Sequence, residues 1–148
     1  MLRKALIGTG LLAVALALGA VACGGGEPES TSGSFGPRLV LERQVLDLGA
    51  IPVAQRSEAR VTFRNGGDAP LRVEITSVRP APGSACGCGI ESFTVEPPEV
   101  QPGAAGDMVF VMNPPEGTQG MKEDMLVDLR TNDRQKPQYT ITLKMKIA

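Results

Sequence analysis

The 148-residue chain contains no histidine and no tryptophan, one tyrosine, four phenylalanines and only three cysteines. Without imidazole there is no Ser-His or Cys-His dyad, no histidine metal triad and no imidazole base, which closes the commonest routes to nucleophilic and acid–base catalysis. Scarce aromatics leave no stacking platform, and 15 basic against 16 acidic side chains offer no positive field for phosphates, so nucleic acid is not an expected partner. No segment sustains an apolar stripe at helical spacing. Gly24-Gly25-Gly26 opens no helix and reads as linker, not as a phosphate loop. Glu91, Glu96, Glu99, Glu123 and Asp124 are scattered acids whose expected place is the solvated surface, because a small domain offers little cavity to raise a carboxyl pKa. Asn132-Asp133, near Asp128, lacks the dense oxygen ligands of a calcium loop and reads as a turn. The chain is therefore expected not to be an enzyme and to carry no cofactor.

What is present begins at the N-terminus. Arg3 and Lys4 precede an apolar run from Ala5 to Leu18, and small residues then lead through Ala20-Val21-Ala22 to Cys23. Basic, apolar and small, in that order, is the anatomy of an export signal. The segment resembles a bacterial lipoprotein signal peptide with its lipobox, with Ala20 where leucine is usual. That resemblance implies removal of residues 1–22 and lipidation of Cys23 as the new N-terminus. Two alternatives stay open. One is an uncleaved anchor, although Gly8, Gly10 and Gly19 dilute a run barely as long as the roughly 20 residues a bilayer core demands. The other is an ordinary cleaved signal with Cys23 left unpaired. Each alternative puts the remaining chain on the extracytoplasmic side of a membrane, in the periplasm or on the cell surface. Loss of Arg3 and Lys4 leaves 13 basic against 16 acidic residues, 13 − 16 = −3, so membrane attachment rests on acyl chains and not on charge. Gly24 to Pro37 is rich in Gly, Ser, Glu and Pro, with Phe35 its only large apolar residue. It cannot bury enough surface to fold, and residues 23–37 read as a lipidated cysteine and a tether spanning roughly 20 Å.

Residues 38–148 form one domain's worth of chain, and their periodicity is two. Ala59, Val61 and Phe63 alternate with Arg60, Thr62 and Arg64; Leu71, Val73 and Ile75 with Arg72, Glu74 and Thr76. Met108, Phe110 and Met112 share one face of a further run, and so do Met125, Val127 and Leu129. Tyr139, Ile141, Leu143, Met145 and Ile147 alternate with Thr140, Thr142, Lys144 and Lys146. Turn signals separate the runs at Asn65-Gly66-Gly67-Asp68, Pro80 to Gly83, Pro102-Gly103, Asn113 to Gly117 and Asn132-Asp133. Seven or eight short strands, each with one face to bury, predict an all-β antiparallel sandwich, with a small barrel as the competing architecture. The methionines on these runs belong to the core; only Met121, after Gly120, is expected to be exposed.

Five motifs occur in order: Leu46-Asp47-Leu48-Gly49-Ala50-Ile51-Pro52-Val53, Val61 through Leu71, Cys86-Gly87-Cys88, Gln101-Pro102-Gly103 and Thr131-Asn132-Asp133. Together they resemble an uncharacterised bacterial family of exported immunoglobulin-like domains, akin to Hydin-like and major-sperm-protein-like sandwiches. The resemblance implies a fold and a location, and no established activity. Where relatives usually carry threonine after the paired cysteines, this chain has Gly89-Ile90.

If Cys23 carries lipid, Cys86 and Cys88 remain as a pair in an oxidising compartment. One reading is a local disulfide shaping a loop. Such a bond would close so short a loop that chain entropy contributes only about 1.5 kcal/mol, which strain offsets. A thiol-redox role, Cu(I) held by both thiolates with a methionine, and intermolecular pairing are the alternatives. Zinc is not expected, since two thiols without histidine fall short of a four-ligand structural site. The function expected from the whole is a lipid-anchored module that binds or helps assemble another envelope protein. The competing expectation is an exported redox or copper-handling protein acting through Cys86 and Cys88.

Overall fold

A computed structural model describes residues 36–84 and 89–148. The signal segment, Cys23, nearly all of the tether, Cys86 and Cys88 lie outside the described residues. Eight strands follow in order: β1 Leu39–Val40, β2 Val45–Ile51, β3 Ser57–Asn65, β4 Val73–Pro80, β5 Ile90–Glu96, β6 Ala105–Met112, β7 Lys122–Thr131 and β8 Gln138–Ile147. They make two four-stranded sheets, β1-β3-β6-β5 and β2-β8-β7-β4, which is the expected immunoglobulin-like sandwich and not a closed barrel.

Alternation decides which side of each strand is inside. In β3, Val61 and Phe63 are buried while Arg60, Thr62 and Arg64 are exposed; in β8, Ile141, Leu143, Met145 and Ile147 are buried between exposed Lys144 and Lys146. Phe63, Phe110, Met108, Met112, Val127, Leu129, Ile141 and Leu143 form the centre of the core. Met108, Met112, Met125 and Met145 are all buried, so core packing accounts for them, and Met121 is half-buried rather than exposed. Gly106 is the one core position where a side chain would not fit. A Cβ there would stand 2.8 Å from both Phe63 Cζ and Val100 Cγ2, in space those side chains already fill.

One ladder departs from the antiparallel expectation. β2 runs parallel to β8, with Val45 opposite Thr142 and Ile51 opposite Ile147. A tight hairpin forces antiparallel pairing, but β2 and β8 are far apart in sequence and no hairpin joins them. The chain leaves the first sheet after Val40 and enters the second beside its last strand.

Turn chemistry ties the sheets together at one end. Asn65 is wholly buried and uses its side chain completely: Oδ1 accepts from the N–H of Arg38 at 3.3 Å and of Gly67 at 3.0 Å, and Nδ2 donates to the carbonyls of Ala69 at 2.8 Å and Val100 at 2.9 Å. Gly67 lies so close to residues 36–38 that a Cβ would fall 2.0 Å from the Gly36 carbonyl oxygen. Asn132-Asp133 behaves as the expected turn. Buried Asp133 accepts from the backbone N–H groups of Leu39, Gln135 and Lys136, and Asn132 bonds the backbone of Arg72 and Pro70.

On the outer face of the second sheet, Asp128 accepts hydrogen bonds from Thr140 at 2.8 Å, Ser77 at 2.9 Å and Arg79 at 3.2 Å. The bonds from Thr140 and Ser77, then the charge of Arg79, hold its carboxyl below the ordinary value of 3.8. A depressed folded-state pKa gives stability that is present above the unfolded value and lost as pH falls through the folded one. Asp128→Asn is accordingly expected to lower the melting temperature at pH 7, with the gap to the parent closing below pH 3.8 in thermal scans against pH.

Candidate functional site: the open edge of the sandwich

Phe93 in β5 pairs with Phe110 in β6, and Val95 pairs with Met108, so all four side chains project from the same face of one sheet, toward the interior. Phe110 and Met108 are fully buried, yet Phe93 is 39% exposed. The difference comes from the opposite layer. The second sheet ends at β4, and nothing among the described residues covers β5 beyond it. The result is a shallow groove of about 250 Å³ between the two edge strands, with Val73 and Ile75 on one wall and Phe93, Val95 and Pro98 on the other.

Both walls are also sheet edges. β5 pairs only with β6 and β4 only with β7, so each presents one unpaired side of its backbone ladder. Of the remaining edges, β1 has only two residues, and β2 changes register between Asp47 and Ala50 around Gly49, at φ 73°, as β4 and β5 do along their own ladders. Beside the groove, on the outer face, Arg60 bonds Glu58 at 2.7 Å and lies 3.6 Å from Glu96 and 3.7 Å from Asp107. The hydrogen bond and charge of Glu58, with Glu96 and Asp107, raise the guanidinium pKa above its usual value. The polar face of the edge thus gathers three carboxylates around one guanidinium, while the inner face leaves the apolar ring of Phe93 exposed.

The candidates singled out from sequence fare differently. The expected Cys86–Cys88 disulfide is not borne out, and both residues lie outside the described ones. The physical reason lies in the spacing: with one glycine between the cysteines, ring strain opposes a bond whose entropic return is small. Among the described residues no group of three or more His, Cys, Asp or Glu is placed to hold a metal ion. No helix among them is long and apolar enough to cross a membrane. Of the scattered acids, Glu91 pairs with Arg56 at 3.3 Å, Glu96 with Arg60, Glu99 with Arg72 at 2.9 Å and Asp124 with Lys144 at 3.6 Å. Glu123 is the exception, being buried and not at the surface. Phe93 went unrecognised in the sequence because its exposure depends on where the other sheet stops.

Two packed four-stranded sheets define an immunoglobulin-like β-sandwich. Residues 39–147 match a family described as a protein of unknown function, DUF1573, and the chain belongs to that family. No curated protein matches the chain. Among solved structures it is similar to a protein of unknown function from Porphyromonas gingivalis W83, at 21% identity and a TM-score of 0.55. That likeness covers 79% of this chain and 50% of the other, so this chain spans half the length of its structural relative. The PapD-like domain 7 of human CEP192 is similar at 10% identity and a TM-score of 0.49, over 90% of this chain and 97% of that one. A chaperone–tip adhesin pre-assembly complex, CsuC-CsuE from Acinetobacter baumannii, matches at 11% identity and 0.48, over 74% and 56%. The P. gingivalis likeness supports the sandwich fold and nothing finer.

Proposed function

We propose that this domain is an extracytoplasmic binding module, held to a membrane by lipid on Cys23, that takes an extended segment of another envelope protein along the β4–β5 edge. The observation that carries the reading is Phe93, which points inward from an edge strand with one unpaired side and is still 39% exposed. A strand added to β5 would satisfy backbone groups by the ladder and place alternate side chains over Phe93 and Val95. The tether and the basic, apolar, small-residue leader ending at Cys23 supply the address.

Two measurements test the two halves separately. A photo-crosslinking residue at exposed Thr94 is expected to yield a discrete adduct in intact cells, lost when Phe93→Asp is added, whereas the same probe at Gln55 yields none. Equal adducts at both positions would exclude the edge. Cys23→Ser is expected to move the protein from the membrane fraction to the soluble extracytoplasmic fraction. Retention in the membrane would remove the lipid anchor from the reading.

A further inference from the structure

A cleft of about 670 Å³ lies on the outer face of the second sheet, on the side of β2 and the turn at 82–84 and away from the β4–β5 groove. Its floor comes from β7 and β8, where Lys122 stands directly opposite Lys146 and Asp124 opposite Lys144. On the other side of β8, Asp47 is the register partner of Lys144 and Ala50 of Lys146. The two carboxylates of the cleft are therefore both arranged around the middle lysine. Asp124 approaches Lys144 at 3.6 Å, and Asp47 accepts the Gly49 N–H at 2.8 Å. Among the described residues, Lys122 and Lys146 have no ion pair.

Directly opposed like charges destabilise a sheet, and with acids already on the same face a charge swap would relieve the repulsion. The two cations instead face the same opening. One wall of that opening is fixed: the Ala81 N–H donates to the Asp124 carbonyl at 2.7 Å, Ser84 Oγ donates to the same carbonyl at 2.8 Å and accepts from the Asp124 N–H at 2.8 Å. These bonds pin the 81–84 turn to β7. The rim is built of Gly49, Ala50 and Gly83, small residues that leave room for a ligand to approach. The volume lies within the range of about 300–1,000 Å³ typical of small-ligand sites.

We infer that this cleft binds a phosphate dianion between Lys122 and Lys146. Two unpaired ammonium groups match a double negative charge, and lysine serves phosphate as a point charge without requiring the planar geometry of a guanidinium. A free phosphate and the phosphomonoester of a lipid headgroup offer the same chemistry.

Thermal unfolding of the full-length protein in neutral detergent, at constant ionic strength, tests the site. Sodium phosphate in place of sodium chloride is expected to raise the melting temperature by a few degrees with saturation, as a ligand that binds only the folded state must. Lys122→Ala and Lys146→Ala are each expected to abolish that rise. In chloride alone each is expected to melt at or above the parent temperature, because the opposed charges are relieved. A rise with inorganic phosphate supports a free ion. A rise only in micelles doped with short-chain phosphatidic acid supports a headgroup. No rise with either, a rise that survives the double substitution, or a rise with polyglutamate and not with phosphate would overturn the inference.

Discussion

Asn65→Ala is expected to remove about 3 kcal/mol of folding stability, a large share of the roughly 5–15 kcal/mol that holds a domain of this size together. The effect is not that of four equal hydrogen bonds. The Val100 carbonyl also accepts from the Leu71 N–H at 2.9 Å and keeps that partner. The Ala69 carbonyl loses the Asn65 amide, and the N–H groups of Gly67 and Arg38 lose their shared acceptor. The segment before β1 stays tied to the β3–β4 turn, because the Gly66 N–H donates to the Arg38 carbonyl at 2.9 Å, the Asp68 N–H to the Gly36 carbonyl at 3.1 Å and the Gly36 N–H to the Asp68 carboxylate. Asn65→Asp separates the two halves of the amide. It retains the acceptor for Arg38 and Gly67 but buries a carboxylate facing two carbonyls, so its cost exceeds that of alanine at pH 7 and shrinks on acidification, when the carboxyl becomes a donor. Urea unfolding midpoints at pH 7 and pH 4 measure both. A change in midpoint equivalent to less than about 0.5 kcal/mol for Asn65→Ala would show that water replaces the side chain.

The same asparagine shows what a sequence discloses and what it withholds. Asn65-Gly66-Gly67-Asp68 announces a turn through local chemistry, but the partners of Asn65 at Arg38 and Val100 are 27 and 35 residues away, and no local pattern names them. Strands β3, β7 and β8 were legible because their inside–outside alternation is unbroken, and β6 as a short apolar run in which Val109 is buried beside Met108 and Phe110. β5 was not: its ladder slips between Ile90 and Ser92, so Ile90 and Phe93 sit three apart and the period of two disappears. β4 slips likewise between Ile75 and Ser77, which puts Val78 out of phase with Val73 and Ile75. β2 was visible only as part of a family motif, since its register changes around Gly49 and its parallel pairing is a property of the whole topology. The candidate edge therefore falls where the pattern breaks, since bulges gather at edge strands and an edge strand is where a sandwich can accept a partner. Of the two opposed lysines, Lys146 was legible as an exposed position on its strand. Their being face to face was not, because register is set by the fold.

Phe110 and Phe93 allow stability and binding to be separated by one kind of substitution. They are register partners on the same sheet face, one fully buried and the other 39% exposed. Phe110→Ala empties space enclosed by both sheets and is expected to cost about 3–5 kcal/mol, enough to unfold much of the population at 37 °C. Phe93→Ala removes a ring that water already reaches, leaves no enclosed cavity and is expected to cost less than about 1.5 kcal/mol. If the β4–β5 edge is the binding surface, the order reverses for partner capture in the folded protein. Phe93→Ala then loses the Thr94 crosslink while its unfolding curve stays close to that of the parent. A conservative Phe110→Leu variant keeps the crosslink while its unfolding midpoint drops. A Phe93→Ala protein as unstable as Phe110→Ala would mean that the ring closes the core, and the edge would then lack the uncovered apolar surface on which its proposed role depends. Coverage by the second sheet, which no single strand's sequence encodes, is what buries one phenylalanine in the fold and leaves the other exposed for the proposed recognition.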